Sequence, residues 1–454
     1  MTIINEKAIS PPLREELVKI KHLFAVDTPS LKEVTDHFVH ELQEGLTRHD
    51  AEIPMNITWV PSFPTGDETG RYIAIDMGGT NLRICSVELT QEKGGYSITQ
   101  DNYVLPERLK RATGTELWEL IAEKLQDFFE KHGIFPTHSA KQREEGNEEE
   151  EEAFLPLAFA FSYPVTQEHI RHGVLQRWTK GFDIHGVEGE DRRKIPVLIV
   201  ALVNDTVGTM IASAYKNPHI RVGSIFGTGC NAKIATTDGE KGQSGESDDE
   251  EIVAINCEYG AFDNAGRVLP RTKFDEEIDE MSARPGQQTY EKMVAAMRFF
   301  KDSERGGDGD DNVATRLRQN CTMDAVSLSK IEADGSEEVR MTKARRILHD
   351  AYGINATDEE LRLCCILAEV VCTRAARLYA CGIAALCKKQ GISECAVGVD
   401  GSAFEKYSQF RERAVGALVE ILDWPENDER IRLVTAEDGS GVGAALIVAI
   451  TLNR

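Results

Sequence analysis

The sequence predicts an α/β protein, because segments typical of strands alternate with segments typical of helices along the chain. The run 196–203 is apolar and rich in β-branched residues, as buried strands are. Residues 13–24 and 31–46 instead place apolar side chains three and four positions apart, as amphipathic helices do. With 454 residues the chain is too long for one ordinary core, so two domains or lobes are expected.

The elements are expected in a regular order. Helices over 12–50 lead to a linker at 59–70 that is punctuated by proline and glycine, and a strand-rich segment opens at Tyr72. The later elements are predicted as a helix at 115–133, the strand at 196–203 with a helix from Thr206, a long helix at 358–389, a strand at 395–401, a helix at 408–422, a strand at 431–435 and a last helix.

Two acidic stretches, residues 138–153 and 236–252, are predicted to be solvated, mobile loops. Both consist largely of glutamate, aspartate, glycine, serine and lysine, a composition that cannot bury enough apolar surface to order itself. Residues 300–345 are polar and are also expected to be irregular.

Charge and cysteine usage narrow the class of protein. The net charge of −24 argues against nucleic acid or an anionic membrane as the main partner. The ten cysteines form no CxxC pair or Cys/His cluster, so neither a structural zinc site nor a disulfide framework is expected. We find no secretory signal and no apolar run near the C-terminus that could span a bilayer, and therefore expect a soluble, cytoplasmic protein.

Three strands are each followed by a glycine turn that carries a hydroxyl side chain. The turns are Gly-Gly-Thr at 78–80, shortly after Asp76, Gly-Thr-Gly at 227–229, and Asp-Gly-Ser at 400–402. Glycine lets backbone N–H groups approach an anion closely, and Thr and Ser add donors. Any one of them alone is equally a hairpin turn. The first two turns, each between two strands, together predict a pair of phosphate-binding turns. The chain has neither a P-loop nor a Rossmann fingerprint.

An amide and a carboxylate, Asn204 and Asp205, directly follow the strand 196–203. A carboxylate accepts hydrogen bonds and an amide both donates and accepts, so a strand that ends in this pair supplies groups for a polar ligand. Two further carboxylates have weaker support as ligand-binding residues from the sequence alone. For each of them a solvent-exposed surface charge is the alternative interpretation. Glu258 lies between apolar residues, which favours a buried role, and Glu291 lies in a helical run, where solvent exposure is the default.

Ten segments, in this order, resemble the motifs of eukaryotic hexokinases and glucokinases: "AIDMGGTNLRI", "FAFSYPV", "LQRWTKGFDIHGVEG", "VALVNDTVGT", "IFGTGCNA", "AINCEYGAFDN", "LPRTKFDEEIDE", "RPGQQTYEKM", "TRAARL" and "AEDGSGVGAA". The resemblance implies an actin-like ATPase (RNase H-like) fold of two lobes around a cleft. It places the small lobe at 65–204 with the C-terminal helix 444–454, and the large lobe at 1–64 and 205–443.

The resemblance also implies the chemistry, which is transfer of phosphate from Mg-ATP to the 6-hydroxyl of glucose or a related hexose, the first step of glycolysis. Hexose and ATP are then the partners, and ATP and Mg²⁺ the cofactors. No metal site made by the protein alone is expected, and Asp76 would act on Mg²⁺ through water. Closure about residues 63–70 and 438–444 would exclude water from the cleft.

Site roles are carried over from the family motifs. Asp205 would be the general base, with Lys180 as a second catalytic residue. The substrate would bind to Ser162, Thr179, Lys180, Asn204, Asp205, Asn231, Glu258 and Glu291. The nucleotide would bind to Asp76, Gly78, Gly79, Thr80, Asn81, Arg83, Gly227, Thr228, Gly401 and Ser402.

Departures from the family pattern leave a second hypothesis open. Residues 192–195 connect almost directly to the strand where the family has a helix, and Ala295 and Ala296 stand where it has glycine, beside the nucleotide. The alternative is therefore a catalytically weak or inactive glucose sensor, resembling the hexokinase-like regulators of filamentous fungi, that works on the carbon-nutrient response through a regulatory protein partner. A chaperone ATPase of the same superfold is disfavoured by the sugar segments "WTKGFDI" and "EYGAFDN".

Overall fold

The computed structural model of the chain describes residues 4–48, 50–60, 62–136, 138–142, 150–161, 163, 165–175, 178, 182–185, 197–226, 230–236, 253–282, 284–295, 325–332, 335–401, 404–405, 408–425 and 428–453. Within these residues, helices and strands alternate as the sequence predicts.

Two six-stranded sheets organise the described residues, and a separate hairpin joins β7 to β8. The first sheet has the order β1-β12-β11-β10-β13-β14; the second has the order β4-β3-β2-β6-β5, with β9 paired to β6. The strands are β1 (Asn56–Thr58), β2 (Gly70–Met77), β3 (Asn81–Leu89), β4 (Tyr96–Val104), β5 (His138–Gln142), β6 (Glu150–Phe161), β7 (Val165–His169), β8 (His172–Leu175), β9 (Val197–Val203), β10 (Ile220–Phe226), β11 (Cys230–Thr236), β12 (Val253–Asn256), β13 (Cys395–Asp400) and β14 (Ile431–Thr435).

Several helices begin at a residue whose side chain caps the first turn. At α3 and α9 the caps are capping boxes, in which Thr113 pairs with Glu116 and Thr357 with Glu360. The helices are α1 (Pro11–Phe24), α2 (Thr28–Thr47), α3 (Gly114–His132), α4 (Asp205–Lys216), α5 (Lys273–Met281), α6 (Thr289–Val294), α7 (Ala325–Glu332), α8 (Glu337–Tyr352), α9 (Asp358–Lys389), α10 (Ser408–Ile421) and α11 (Ala444–Leu452), with a short π-helix at Gly439–Gly443 before the last.

Parallel pairing brings functional positions to a common edge in each sheet. In the second sheet β2, β6 and β9 run parallel, with Met77 beside Phe161 and Ala160 beside Val203. In the first sheet β10 and β13 run parallel, with Ile225 beside Asp400. Because ligands of α/β proteins bind outside the carboxyl ends of parallel strands, these two edges predict the position of the site.

The long helix α9 is the centre of the core on the first sheet. Its second half, from Cys372 to Cys387, is almost entirely buried among small residues that allow close packing. By length and composition alone α9 could cross a membrane, but 78% of its apolar window is buried inside the fold, as in the core helix of a globular protein.

The division of the sheets follows the chain. All strands of the second sheet lie between residues 70 and 203, and those of the first lie at 56–58 and 220–435. One hydrophobic cluster nevertheless contains residues next to both sheets, such as Tyr72 and Ile220, because α4 and α11 pack between them. The boundaries of the two lobes stay a prediction.

Three sequence predictions about local structure are wrong. Residues 138–142 and 150–154 pair as the antiparallel strands β5 and β6, because backbone hydrogen bonding does not require apolar side chains; the loop prediction for 143–149 and 237–252 falls outside the described residues. The polar segment 300–345 contains α7 and the start of α8. Finally, β9 is not wholly buried, since Leu198 and Ile199 are 36% and 49% exposed at the edge of the sheet.

Candidate active site

Asn204 and Asp205 lie at the junction between β9 and α4, at the common edge of the second sheet. Asn204 caps the helix, and its side chain accepts a hydrogen bond from the Thr206 N–H at 3.0 Å. The Asp205 carboxylate accepts from the N–H and the hydroxyl of Thr206, at 2.7 and 3.2 Å, and both bonds end on Oδ1. Among the described residues this leaves Oδ2 of Asp205 as the oxygen that can accept a proton from a ligand.

Asn231, Asn256 and Glu258 form a hydrogen-bonded group next to Asp205. The Asn231 amide donates to Asn256 at 2.8 Å and to Glu258 Oε1 at 3.0 Å, and Asn256 donates to the same Glu258 oxygen at 2.8 Å. Asn231 also donates to the Thr206 hydroxyl at 3.3 Å. These bonds hold the predicted sugar residues Asn231 and Glu258 against the start of α4.

The backbone of Glu258 adopts a left-handed conformation, with φ of 55°. Its N–H donates to Asn231 Oδ1 at 2.9 Å, and this bond holds the turn. A left-handed residue other than glycine costs about 1–2 kcal/mol, and such strained residues are enriched at functional sites. The strain at Glu258 therefore supports a functional position and argues against the surface charge that is the alternative for an isolated glutamate.

Glu291 reaches the same region from α6. Its Oε2 accepts a hydrogen bond from the Cys230 N–H, at the start of β11, at 3.0 Å. Gly260 permits this approach, because a Cβ at that position would lie 3.2 Å from Glu291 Cβ and 2.5 Å from Gln288 Oε1. The structure thus brings together Asn204, Asp205, Asn231, Glu258 and Glu291, which are the predicted substrate residues that it describes.

The first glycine turn lies between β2 and β3 and contains Gly78, Gly79, Thr80 and Asn81. Gly78 N–H donates to the Asn81 carbonyl at 3.0 Å, which closes the turn. Thr80 and Asn81 are exposed at its tip, and the Asn81 amide donates to the Thr80 hydroxyl at 3.1 Å. The hydroxyl and the amide therefore face solvent, where a phosphate could be bound.

Asp76 and Arg83 are cross-strand partners at the base of this turn. Arg83 Nη2 donates to Ser440 Oγ at 2.9 Å and to Asp438, and Ser440 donates to Asp76 Oδ2 at 2.6 Å. Arg83 Nε is buried and has no hydrogen-bond partner among the described residues. The guanidinium thus ties the turn to the π-helix segment, and its Nε lies 3.9 Å from Asp76 Oδ2.

Asp438 and Ser440 were missed as site residues, because the sequence assigned 438–444 only to lobe closure. Asp438 also accepts a hydrogen bond from the Gly441 N–H at 2.9 Å, which orients the segment before α11. A carboxylate followed by a Gly-Ser-Gly run resembles the other turns, and that similarity was the available signal.

Asp400 is a third missed residue, at the carboxyl end of β13. Burial raises the pKa of its carboxyl to about 6, with further contributions from the negative charges of Asp205, Glu405 and Asp438. The Thr209 hydroxyl links it to the catalytic candidate, donating to the Asp205 carbonyl at 3.0 Å and, at 3.5 Å, to Asp400 Oδ2. Its position directly before Gly401, like that of Asp76 shortly before Gly78, was the signal in the sequence.

Gly401 follows with φ of 130°, a conformation that L side chains rarely adopt, so glycine is required at this turn. The remaining predicted site positions lie outside the described residues; they are Ser162, Thr179, Lys180, Gly227, Thr228 and Ser402. Residues 192–195 and Ala296, where the sequence departs from the family pattern, also lie outside the described residues. Ala295, the other departure, is the C-cap of α6.

The side chains on the nucleotide side that could ligate a metal ion, such as Asp76 and Asp438, offer oxygen atoms. No group of three or more His, Cys, Asp or Glu residues that could hold a metal ion occurs in the part of the chain that the structure describes. Carboxylates such as Asp76 and Asp438 suit Mg²⁺, which prefers oxygen and keeps several of its waters. These residues therefore fit an ion bound mainly by phosphate and water.

The chain is similar to known proteins over almost its whole length. The Hexokinase family models match residues 16–215 and 221–450. The chain is 46% identical to the Hexokinase of Emericella nidulans, over 97% of this chain and 92% of that protein. It is 41% identical to Hexokinase-1 of Saccharomyces cerevisiae, over 97% and 93%.

Among solved structures, a hexokinase of Schistosoma mansoni complexed with glucose matches with a TM-score of 0.78 and 32% identity, over 96% of this chain and 98% of that one. The similarity confirms the two-lobe, actin-like ATPase fold that the sequence motifs imply. Since the family models together cover almost the whole chain, and relatives more than 40% identical match over nearly its full length, this protein belongs to the hexokinase family.

Proposed function

We propose that this chain transfers phosphate from Mg-ATP to the 6-hydroxyl of glucose or a closely related hexose. The observation that carries the proposal is the group formed by Asn231, Asn256 and Glu258 beside Asp205, at the edge where the strands of the second sheet end. Amides and carboxylates held in this way match the many hydroxyls of a sugar. Family membership supports the same activity.

Asp205 is the general base of the proposed reaction. Its Oδ1 is held by Thr206, so Oδ2 accepts the proton of the sugar hydroxyl. The sugar oxygen forms a bond to the terminal phosphorus of ATP as the bond from that phosphorus to the bridging oxygen breaks, and ADP leaves. The N-terminus of α4 favours a negative charge at this position. Asn204, Asn231, Glu258 and Glu291 orient the sugar, and Lys180, Thr179 and Ser162 complete the set by the family motif.

The nucleotide is bound on the opposite side of the cleft. Gly78, Gly79, Thr80 and Asn81 supply donors for its phosphates. By the family motif, Gly227 and Thr228 would add further donors, and Gly401 and Ser402 would lie near the nucleoside. Arg83 adds a cationic donor. Asp76 would hold, through water, the Mg²⁺ that accompanies ATP, and this ion would supply positive charge against that of the phosphates. Closure of the cleft excludes water, so that ATP is not hydrolysed.

We also propose a cytoplasmic location. The nine cysteines within the described residues are free thiols, as is typical of a reducing compartment.

The decisive experiment is a coupled assay of glucose 6-phosphate formation by the purified chain. We expect saturable turnover with glucose and Mg-ATP, and none with Mg-ATP in the absence of sugar. Protein that circular dichroism shows to be folded, but that has no turnover with any common hexose, would refute the proposal.

Calorimetry on the same preparation distinguishes the proposed kinase from the alternative, a sugar-sensing regulator. That alternative requires glucose binding with little or no ATP binding and no turnover. The proposed kinase binds both ligands, so an ATP titration in the presence of glucose distinguishes the two.

A further inference from the structure

Among the hydrogen bonds that connect the parts of the fold built on the two sheets, one lies next to the proposed sugar residues in the sequence. Arg284 lies in the loop between α5 and α6, and its Nη2 donates to the main-chain carbonyl of Trp178 at 2.9 Å, across 106 residues of sequence. The loop leads into α6, which packs in the core of the first sheet, whereas Trp178 packs on the core of the second. The contact therefore spans the cleft.

The loop that presents Arg284 is held by an ion pair at its base. Lys292 on α6 contacts Asp279 on α5 at 2.6 Å, and its ammonium also donates to the Arg284 carbonyl at 2.9 Å. Asp279 accepts in addition from the Gly286 N–H at 2.8 Å. Both charged side chains are more than four-fifths buried, so the pair is well shielded from solvent. The backbone at Arg284 is thus anchored to the helix that carries Glu291.

The acceptor is anchored just as firmly. The Trp178 indole N–H donates to the Ile184 carbonyl at 2.8 Å. Its ring packs edge-on against Tyr163, with centroids 5.1 Å apart, and stacks with Phe182 at 5.7 Å. Since both partners of the bond are attached to rigid surroundings, the bond restrains the separation of the two sides of the cleft.

We propose that Arg284 is a positioning residue that stabilises the closed cleft around the sugar. Trp178 directly precedes Thr179 and Lys180 in the sequence, two of the proposed sugar residues, and Lys292 directly follows Glu291. The bond from Arg284 therefore couples the segments that carry sugar residues on opposite sides. This inference rests on the proposed function, because it concerns how the same site holds its sugar.

The side chain of Arg284 is exposed and its partner is an uncharged carbonyl, which limits the size of the effect. An exposed hydrogen bond contributes little to folding, yet all of its energy acts on the equilibrium between open and closed cleft when it forms only on closure. Because the acceptor belongs to the main chain, the bond is removed at the arginine and not at Trp178.

The test compares Arg284→Ala and Arg284→Lys with the control Arg346→Ala, which removes an exposed arginine on α8 that pairs only locally with Asp350. Glucose affinity is measured from tryptophan fluorescence without nucleotide, KM and kcat from the coupled assay, and closure from the glucose-induced change in radius of gyration. For R284A we expect glucose Kd and KM to rise about 3- to 10-fold and compaction by sugar to weaken. The KM for Mg-ATP and the kcat at saturating glucose stay within about twofold.

The lysine variant keeps one cationic donor, so its glucose Kd should lie between those of R284A and the wild-type chain. Unchanged glucose binding and unchanged compaction in R284A, equal to R346A, would overturn the inference, and so would a loss confined to kcat. If R284A folds poorly by circular dichroism, the R284K variant decides: a glucose Kd higher than that of R346A supports the inference, and a Kd equal to that of R346A overturns it. A wild-type chain that binds glucose without turnover refutes the proposed function but leaves this test intact.

Discussion

The proposed sugar side and the proposed nucleotide side of the cleft differ in how their polar and charged groups are balanced. On the sugar side, Asn231 and Asn256 donate to Glu258, so the polar groups satisfy one another before any ligand arrives. On the nucleotide side, Asp400 lies near the carboxylates of Asp205 and Asp438, which raise its pKa in addition to burial. Arg83 is the cation that contacts this group within the described residues.

The difference indicates which half of the site is already organised. A satisfied network of amides and carboxylate is rigid and needs little rearrangement to bind a neutral polyol. A group of carboxylates that must accept a polyanion is complete only with a cation, which is the role we assign to the Mg²⁺ of Mg-ATP. Variants on the two sides should therefore separate in their kinetic effects.

The largest effect is expected at Asp205, where the two sides meet. Asp205→Asn removes the proposed base and should lower kcat about 10²- to 10⁴-fold while glucose binding changes little. Steady-state kinetics combined with fluorescence titration measure both quantities. Asp350→Asn, at an exposed position on α8, is the matched control. Near-wild-type kcat in the Asp205 variant would remove the residue from this role.

Glu258→Gln tests the sugar side alone. The amide replaces a carboxylate that accepts from Asn231 and Asn256, and charge-assisted hydrogen bonds contribute about 1.5–3 kcal/mol each. We expect the KM for glucose to rise about 10- to 100-fold, with the KM for Mg-ATP unchanged. The exposed Glu338→Gln should leave both constants as they are. An equal rise in both KM values would contradict the division into two sides.

Arg83→Ala tests the nucleotide side. Loss of the guanidinium removes a phosphate donor and frees Asp438, so the KM for Mg-ATP should rise about 3- to 10-fold at constant glucose affinity. Arg71→Ala is the control, since Arg71 pairs with Glu88 between the same two strands but further from the turn. Should the Arg83 variant weaken glucose binding instead, the residue belongs to the other side.

The smallest effect is expected on stability, at Asp400. A carboxyl whose pKa is about 6 when folded and 3.8 as the ordinary value makes its stabilising contribution below pH 3.8 and loses it as the pH rises through 6. At pH 7.5 the free energy of unfolding of Asp400→Asn should therefore exceed that of the wild-type chain by about 1–3 kcal/mol. Denaturant unfolding measures this difference, and the gap in free energy should narrow as the pH falls towards 4. A gap that does not change with pH would show that the ionisation of Asp400 is not its cause.

Much of the fold could be predicted from local sequence. The expected helix at 358–389 has the bounds that the structure shows, because a capping box starts it and its small apolar residues suit a buried helix. The strand at 431–435 is also correct, and the helix predicted at 408–422 ends one residue earlier. The strands at 138–142 and 150–153 were missed because their pairing depends on backbone hydrogen bonds that leave no apolar pattern.

Of the candidate site, the sequence by itself determined the residues whose motif combines a strand end with a turn, such as Asp76, Asn204 and Asp205. Only the tertiary structure decided that Ser440 would reach Asp76 across 364 residues, that Asp400 would lie near Asp205, and that Arg284 would contact Trp178. The physical reason is that these contacts depend on strand order and on the packing of α4 and α11 between two sheets. Neither property leaves a periodic pattern in the local sequence.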